Sequence, residues 1–599
     1  MRFSHFAGQC LLALSSLASA SVVPAVPEHT LQERQTKDSA CTNGPFSRAC
    51  WKNGFSIATD FDLKYPTTGK TVTYDLTITN STCNPDGNGE RLCLKVNNQY
   101  PGPTIRAEWG DQVVVNVHNK MQDNGTSIHW HGVRQHNSVG SDGVNGITEC
   151  PLAPGDSKTY RFQATQFGTS WYHAHFSSQY GDGVVGPMVF DGPASANYDI
   201  DLGPYMLNDW YYQTAFQIDA ITLQNLQNRG PPPSGDNILI NGTNQNAKGG
   251  GSYNKVTIKK GKKYRLRLIN ISVDNNIRVS LDNHMMQVMT SDFIPIKPYY
   301  TEWLLIAIGQ RYDVVINANQ TAGNYWFRAN VATDCLSANK NNARAIWSYD
   351  TITAGTPTSN SYTQPSVCTE PTNLAPYWKQ PVPTGSFANK PMNVNFTRAK
   401  LYENGDTLTV WAINTSSINV AWENPTISYL MDGNTSYPNK LNVVPTVNEG
   451  AWNYWLIQAV QGLAPVPHPM RKSLRNLPST NAMLTNLPDL HGHDYFVIGQ
   501  GRGVYDPSTA VLNWNTPPRR DTATLPGGGW LAIAFPSNNP GTWLLHCHIA
   551  WHISEGLGMQ FLEMPDKITY PPTEEYQRTC TNWNNYAKNA FYKKHDSGL

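Results

Sequence analysis

The chain has 599 residues, 39 % of them hydrophobic, and its 45 lysines and arginines nearly balance 44 aspartates and glutamates for a formal net charge of +1. That length holds several domains, and the neutral balance gives no reason to expect nucleic acid as a partner. Charged residues reach only 15 %, while 46 glycines, 41 prolines and many aromatics suit a sheet-rich chain with frequent turns better than a helical one.

Residues 1–20 carry an early Arg2, the apolar stretch QCLLALSSLASA and a small-residue exit, Ala18-Ser19-Ala20, the pattern of a secretory signal peptide. An uncleaved anchor is the alternative, disfavoured by the short apolar core and that exit. Residues 21–34 read as a short pro-segment ending at Arg34. No later apolar run reaches the length of a membrane span, so the expectation is a secreted, extracellular chain without a membrane partner. Eight Asn-x-Ser/Thr sites fit a glycoprotein of that compartment: Asn80, Asn124, Asn241, Asn270, Asn319, Asn395, Asn414 and Asn434. Of ten cysteines, Cys10 lies in the signal and Cys547 in a metal motif. The eight that remain are an even number, as disulfides require, but sequence alone leaves their pairing open.

Runs such as TVTYDLTIT (71–79), DQVVVNVHN (111–119), KYRLRLIN (263–270) and RYDVVINA (311–318) alternate with period two between Gly, Pro and Asn turns. No long amphipathic helix competes with them, so the expected fold is all-β, a series of stacked sandwiches. Pro/Gly/Ser-rich joints near 191–197 and 351–391 divide the chain into 35–195, 196–372 and 373–599.

The first piece holds HWHG (His129, His131) and WYHAH (His173, His175). The third holds HPM (His468), LHGHD (His491, His493) and, over 546–552, HCHIAWH. One His-x-His pair is more often an ordinary pair of histidines, but three pairs plus a His-Cys-His point to metal. On an extended segment His546 and His548 share one face while Cys547 takes the other, so one peptide serves two centres. A thiolate with imidazoles is the ligand set of a blue-copper electron-transfer site, and a histidine-only set suits copper that handles oxygen. Because the motifs avoid the middle piece, a shared site would join the first and third.

With these motifs the chain resembles the multicopper oxidases, and among them the ascomycete-type fungal laccases, from the Cys41 region to the terminal DSGL. The resemblance implies three consecutive cupredoxin-like domains. It places type 1 copper on His468, Cys547 and His552, with the non-ligating Leu557 in the axial position; weak axial ligation is one lever on such a site's redox potential. It gives His129 to a type 2 copper and His131, His173, His175, His491, His546 and His548 to a type 3 pair, making four copper ions when the third motif is intact. A phenol or aromatic amine would give single electrons at His552, Cys547 would relay them through His546 and His548, and four would reduce dioxygen to water. Asp274, in NISVDNN, resembles the pocket acid that accepts the phenolic proton; read alone it is equally an Asx-turn residue. The implied disulfides are Cys41–Cys50, Cys150–Cys580 and Cys335–Cys368, leaving Cys83 and Cys93 for a fourth around DGNG. DSGL resembles a tail that plugs a solvent channel, and a disordered terminus is the bland alternative. A monomer is expected.

One motif departs from the family. Its pattern His-Pro-Met-His-Leu-His-Gly-His is interrupted after Met470 by nineteen residues, 471–489, and the second type 2 histidine is missing. One reading is a translated intron. Arg-Lys-Ser can encode a GTAAGT donor, Met-Leu-Thr a CTAAC branch point and Pro-Asp a CAG acceptor, and removing the stretch joins C to AT, a histidine codon. A real insertion loop is the alternative. In the chain as it stands, either His491 and His493 slide into the ligand places or the type 2 copper is lost; the loss is expected, since the family's histidine after that glycine is not a ligand.

The leading function is therefore an extracellular laccase oxidising phenols with dioxygen. A ferroxidase would need acidic residues beside the type 1 histidines, whereas Ala464, Pro465 and Val466 before His468, with Trp551, suggest an apolar open rim, though Trp551 read alone is equally a core aromatic. From another class comes a secreted copper-binding glycoprotein without oxygen-reducing turnover, disabled by the insertion.

Overall fold

The computed structural model describes residues 41–459 and 488–599, apart from 229, 336, 388–390, 403, 404 and 447. The expected signal and pro-segment, His468, the rim residues 464–466 and nearly all of the 471–489 insertion lie outside the described residues.

Three two-sheet β-sandwiches follow one another along the chain. In the first, Thr71–Cys83 pairs in parallel with Gln112–Asn119 inside a four-stranded sheet, and a second four-stranded sheet carries His129–Trp130 at its edge beside Gly168–His173. The second combines six and five strands, the third six and four. Alternation dictates which side is buried: Val113, Val115 and Val117 are all fully buried on one face of Gln112–Asn119. Lys263–Asn270 and Arg311–Asn317 lie in register as neighbours, Leu266 opposite Val314, and are buried along nearly their whole length, as inner strands must be.

The third sandwich is not a separate ball. Cys547, Ile549, Trp551 and Leu557 belong to the same apolar cluster as Trp109, Trp130 and Trp171 of the first, so the motif HCHIAWH is held by the core of the other end of the chain. Burial of such large side chains is the dominant favourable term in holding the two together.

The chain is mostly strand, as expected, and two helices of 13 and 15 residues accompany the sheets. Ala215–Gln227 begins with a capping box, Thr214 and Gln217 each bonding the other's backbone. Thr573–Ala587 starts after Pro572 with Glu574 and Glu575 in its first turn, where acidic groups favour the helix dipole. Its Tyr576, Thr579, Cys580 and Trp583 recur at helical spacing and face the protein. Cys580 is bonded to Cys150, and Arg578 pairs with Asp156, clamping the helix to the first sandwich. No helix among the described residues is long and apolar enough to cross a membrane.

The structure also joins Cys41 to Cys50, Cys83 to Cys93 and Cys335 to Cys368. Asn80, Asn319, Asn414 and Asn434 are exposed. Two candidates do not fit glycosylation: Asn270 is fully buried, its amide nitrogen donating to the carbonyls of Asn275 and Ile306 at 3.0 and 2.9 Å, and Asn395 is buried with its amide nitrogen donating to the Asn414 carbonyl at 3.1 Å.

Candidate metal centre

Strand pairing brings the motifs together. His129 lies opposite His173 between adjacent strands of the first sandwich. In the third, Gly541–Cys547 pairs with Pro488–Leu490, which sets Asp489 opposite His546. The extended reading of HCHIAWH holds through Cys547; the chain then turns into a short helix, Ala550–Ser554, that carries His552. Gly132 follows His131 with φ +71°, and a Cβ there would lie 2.4 Å from Asp521 Oδ2. The glycine admits a fully buried ion pair in which both terminal nitrogens of Arg311 donate to Asp521 at 2.6 Å, tying the second sandwich to the third beneath the site.

Seven buried histidines converge between the first and third sandwiches. His131, His173 and His548 form one group, with ring centroids 4.9 to 5.9 Å apart. His175, His491 and His546 form another, at 5.3 to 5.5 Å. His129 stacks on His491 at 3.8 Å. Asp142 accepts from His491 Nδ1 at 3.0 Å, and its backbone carbonyl from His129 Nδ1 at 2.8 Å, so one residue orients two rings. His493 faces away, its Nε2 3.1 Å from Glu563 and its ring against Phe535, so it does not slide into the cluster.

The residues fit copper. His129 Nε2, His173 Nε2, His175 Nδ1 and His548 Nδ1 are buried without a hydrogen-bond partner, which a folded protein rarely tolerates unless another ligand meets them. Two pairs of ring nitrogens, His491 with His546 and His548 with His131, stand 3.3 and 3.2 Å apart. That is close to the separation of two ligands each about 2.0 Å from one ion. Burial, and then the neighbouring rings, push His173, His175 and His548 well below the usual histidine range, and burial does the same to His131. They are held neutral, the form that ligates metal. At His129 burial acts in that direction too, but Asp142 and Asp489 together outweigh it and raise the ring.

On the other face of the same peptide, Cys547 Sγ lies 3.4 Å from His552 Nδ1. Leu557 is buried beside them, its carbonyl accepting from the Cys547 N–H at 3.2 Å. Burial pushes His552 down to about 3. Trp551 is only 1 % exposed and packs on Tyr211, so it is a core aromatic and not part of an open rim. The ring that does lie against His552 is Trp411, at 4.4 Å.

Asp274 sits in a loop tied to this motif, since the carbonyl of Val273 accepts from Ala550 N at 2.9 Å. Asp209 accepts the N–H groups of Val273 and Asp274, each at 2.9 Å, which positions the loop. Burial, and next the charge of Asp209, push the Asp274 carboxyl well above its ordinary value; burial, opposed by the N–H groups it accepts, lifts Asp209 to about 6. Residues 596–599 are ordered and buried. Ser597 Oγ donates to the Ile553 carbonyl at 2.7 Å, and Leu599 lines a cavity with His173, His175, His546 and His548.

Asp142 and Asp489 are site residues that the motif reading did not pick out. Asp142 carries no spacing signal. Asp489 carried one, two positions before His491 in Asp-Leu-His-Gly-His, but it counted as the end of the insertion.

Multicopper oxidase family models match residues 77–195, 202–351 and 489–567. The chain belongs to the multicopper oxidase family. Its relatives within that family are laccases: it is 48 % identical to Laccase-3 of Botryotinia fuckeliana, over 77 % of this chain and all of that one. It is 43 % identical to a laccase of Neurospora crassa, over 93 % of this chain and 89 % of the other. The crystal structure of the laccase from Botrytis aclada superposes with a TM-score of 0.83 at 41 % identity, covering 93 % of this chain and all of that one. The chain is thus a copper-dependent oxidoreductase of the fungal laccase branch.

Proposed function

We propose that this laccase oxidises small phenols and aromatic amines beside His552 and passes their electrons to dioxygen at the histidine cluster. The observation that carries this is one peptide, His546-Cys547-His548, serving both centres, with sulfur on one face and two imidazoles on the other. Copper, when bound, supplies one-electron acceptance at the cysteine site and four-electron reduction of dioxygen at the cluster.

The chain's own residues do the rest. His552 and Cys547 would hold the copper of the cysteine site beside the buried Leu557, and His468, the third ligand the family pattern gives, lies outside the described residues. His546 and His548 are covalent neighbours of Cys547, so the shortest through-bond path between the centres is a few bonds of backbone. Asp274 takes the phenolic proton as the electron leaves, its raised affinity matching it to a weak acid. Leu599 narrows the approach to the cluster. His131, His173 and His548 would hold one ion of the pair, His175, His491 and His546 the other, and His129 a further ion for which this chain lacks the family's second histidine.

The four disulfides suit an oxidising compartment and so a secreted chain. All seven cluster histidines come from one chain, so a monomer suffices. A second reading, electron entry without efficient oxygen reduction, is favoured by the Asp489 carboxylate standing among the type 3 histidines. Blue absorbance and oxygen uptake with a phenol, measured on the purified copper-loaded chain, test both. Colour with uptake supports the laccase, colour without uptake supports the second reading, and a colourless chain that takes up no oxygen sinks both.

A further inference from the structure

Among the described residues, Asp489 is the carboxylate that stands between the two histidine groups of the cluster. Its Oδ2 lies 3.6 and 3.9 Å from His131 Nδ1 and His548 Nε2 on one side, and 3.8 and 3.5 Å from His491 Nε2 and His546 Nε2 on the other. These separations are too long for hydrogen bonds. They suit donor atoms that share an ion, because two ligands about 2.0 Å from one metal lie roughly 3.3 to 4 Å apart. The same oxygen is buried and has no hydrogen-bond partner, whereas Oδ1 accepts from Thr522 Oγ1 at 3.3 Å. Its backbone is pinned from both sides, paired with His546 in one strand and bridged to Thr522 on the other. A buried unpaired carboxylate oxygen is costly. A cation shared with the flanking rings removes that cost, and carboxylate oxygen is an accepted partner of imidazole around a divalent metal.

We propose that Asp489 is a copper ligand of this chain, its carboxylate bridging the two histidine groups on either side of it. The place that the family pattern gives to a neutral imidazole of the type 2 site is then filled by an anion shared between the type 3 ions. His129 keeps Asp142 and His491 against its ring, with His173 next nearest at 5.3 Å between ring centroids. This rests on the laccase reading and sharpens it: the two histidine groups would share one carboxylate when copper is bound, and the cysteine site is kept.

The test compares the full chain with Asp489→Asn, which preserves shape and removes the charge. Copper is titrated against a chelator, and infrared difference spectra are taken between the copper-loaded and copper-free forms. Expected is a copper-dependent carboxylate band in the full chain that is missing in Asp489→Asn. Cluster copper should bind at least about 10-fold more weakly in the variant, with the blue band of the cysteine site unchanged as proof of folding. An unchanged copper affinity and infrared difference in a blue variant overturns the bridge and leaves the laccase reading standing. If neither protein turns blue with copper, both fall. Should the variant alone be colourless, Asp489→Glu decides: a blue Glu variant that keeps the carboxylate band supports the bridge, and one without the band overturns it.

Discussion

Asp274 shows how a single side chain can be tested apart from the metal. Its carboxyl is raised by burial and by Asp209, so it is protonated, and useless as a base, until the pH climbs through that raised value. Phenol oxidation therefore falls on the acid side, while a donor that loses no proton, such as ferrocyanide, shows no such limb. Asp274→Asn is expected to lower kcat/KM for a phenol by roughly 10²- to 10⁴-fold, to abolish the acid limb and to leave ferrocyanide oxidation within a few-fold. Steady-state pH profiles with the two donors check this. At this scale the histidines were legible because imidazoles two apart on a strand must share a face. Asp489 was not, since a carboxylate where a histidine is expected looks like a lost ligand until its neighbours are seen. Trp551 left two readings open, rim or core, because adjacency to His552 in sequence does not say which way the ring turns; it turns inward.

Elements aim these residues, and two of them invite substitution. Gly492, between His491 and His493, has φ +71°, and a Cβ there would stand 2.4 Å from the Trp543 ring. Gly492→Ala must therefore shift the turn, at a backbone cost of about 1 to 2 kcal/mol added to the clash. It is expected to weaken copper binding in the cluster while the blue band of the cysteine site stays, read from metal content and visible absorbance. On the helix Thr573–Ala587, Trp583 is 4 % exposed and packs edge-on against Trp422 at 5.7 Å. Trp583→Ala should lower stability by about 3 to 5 kcal/mol, measured by chemical denaturation with the disulfides intact. The strands were readable because period-two alternation is a direct print of a half-buried sheet. Both helices were missed although Thr214 with Gln217 and the recurrence of Tyr576, Thr579, Cys580 and Trp583 were present in the sequence: short polar helices dilute the apolar signal with Asn, Gln and Thr.

Across the whole molecule, the two copper centres depend on a connection that this chain has lengthened. In the family pattern the histidine of the cysteine site and the second type 2 histidine are three positions apart, a span of at most about 10 Å, so one rigid segment places both. Here His468 and Asp489 are twenty-one positions apart, and the placing of one no longer fixes the other. The rest of the architecture is intact: the Arg311–Asp521 pair locks the second sandwich to the third, and the Cys150–Cys580 bond locks the first to the terminal helix. A chain in which residues 471–489 are replaced by one histidine should therefore fold as this one does. It should gain the copper that His129 cannot hold alone, and take up oxygen with a phenol faster than the full chain. Copper content, a paramagnetic type 2 signal and an oxygen electrode read the three effects. Equal copper and equal uptake in the two proteins would mean that the insertion is a tolerated loop and that the single carboxylate of Asp489 serves as well as the imidazole it replaces.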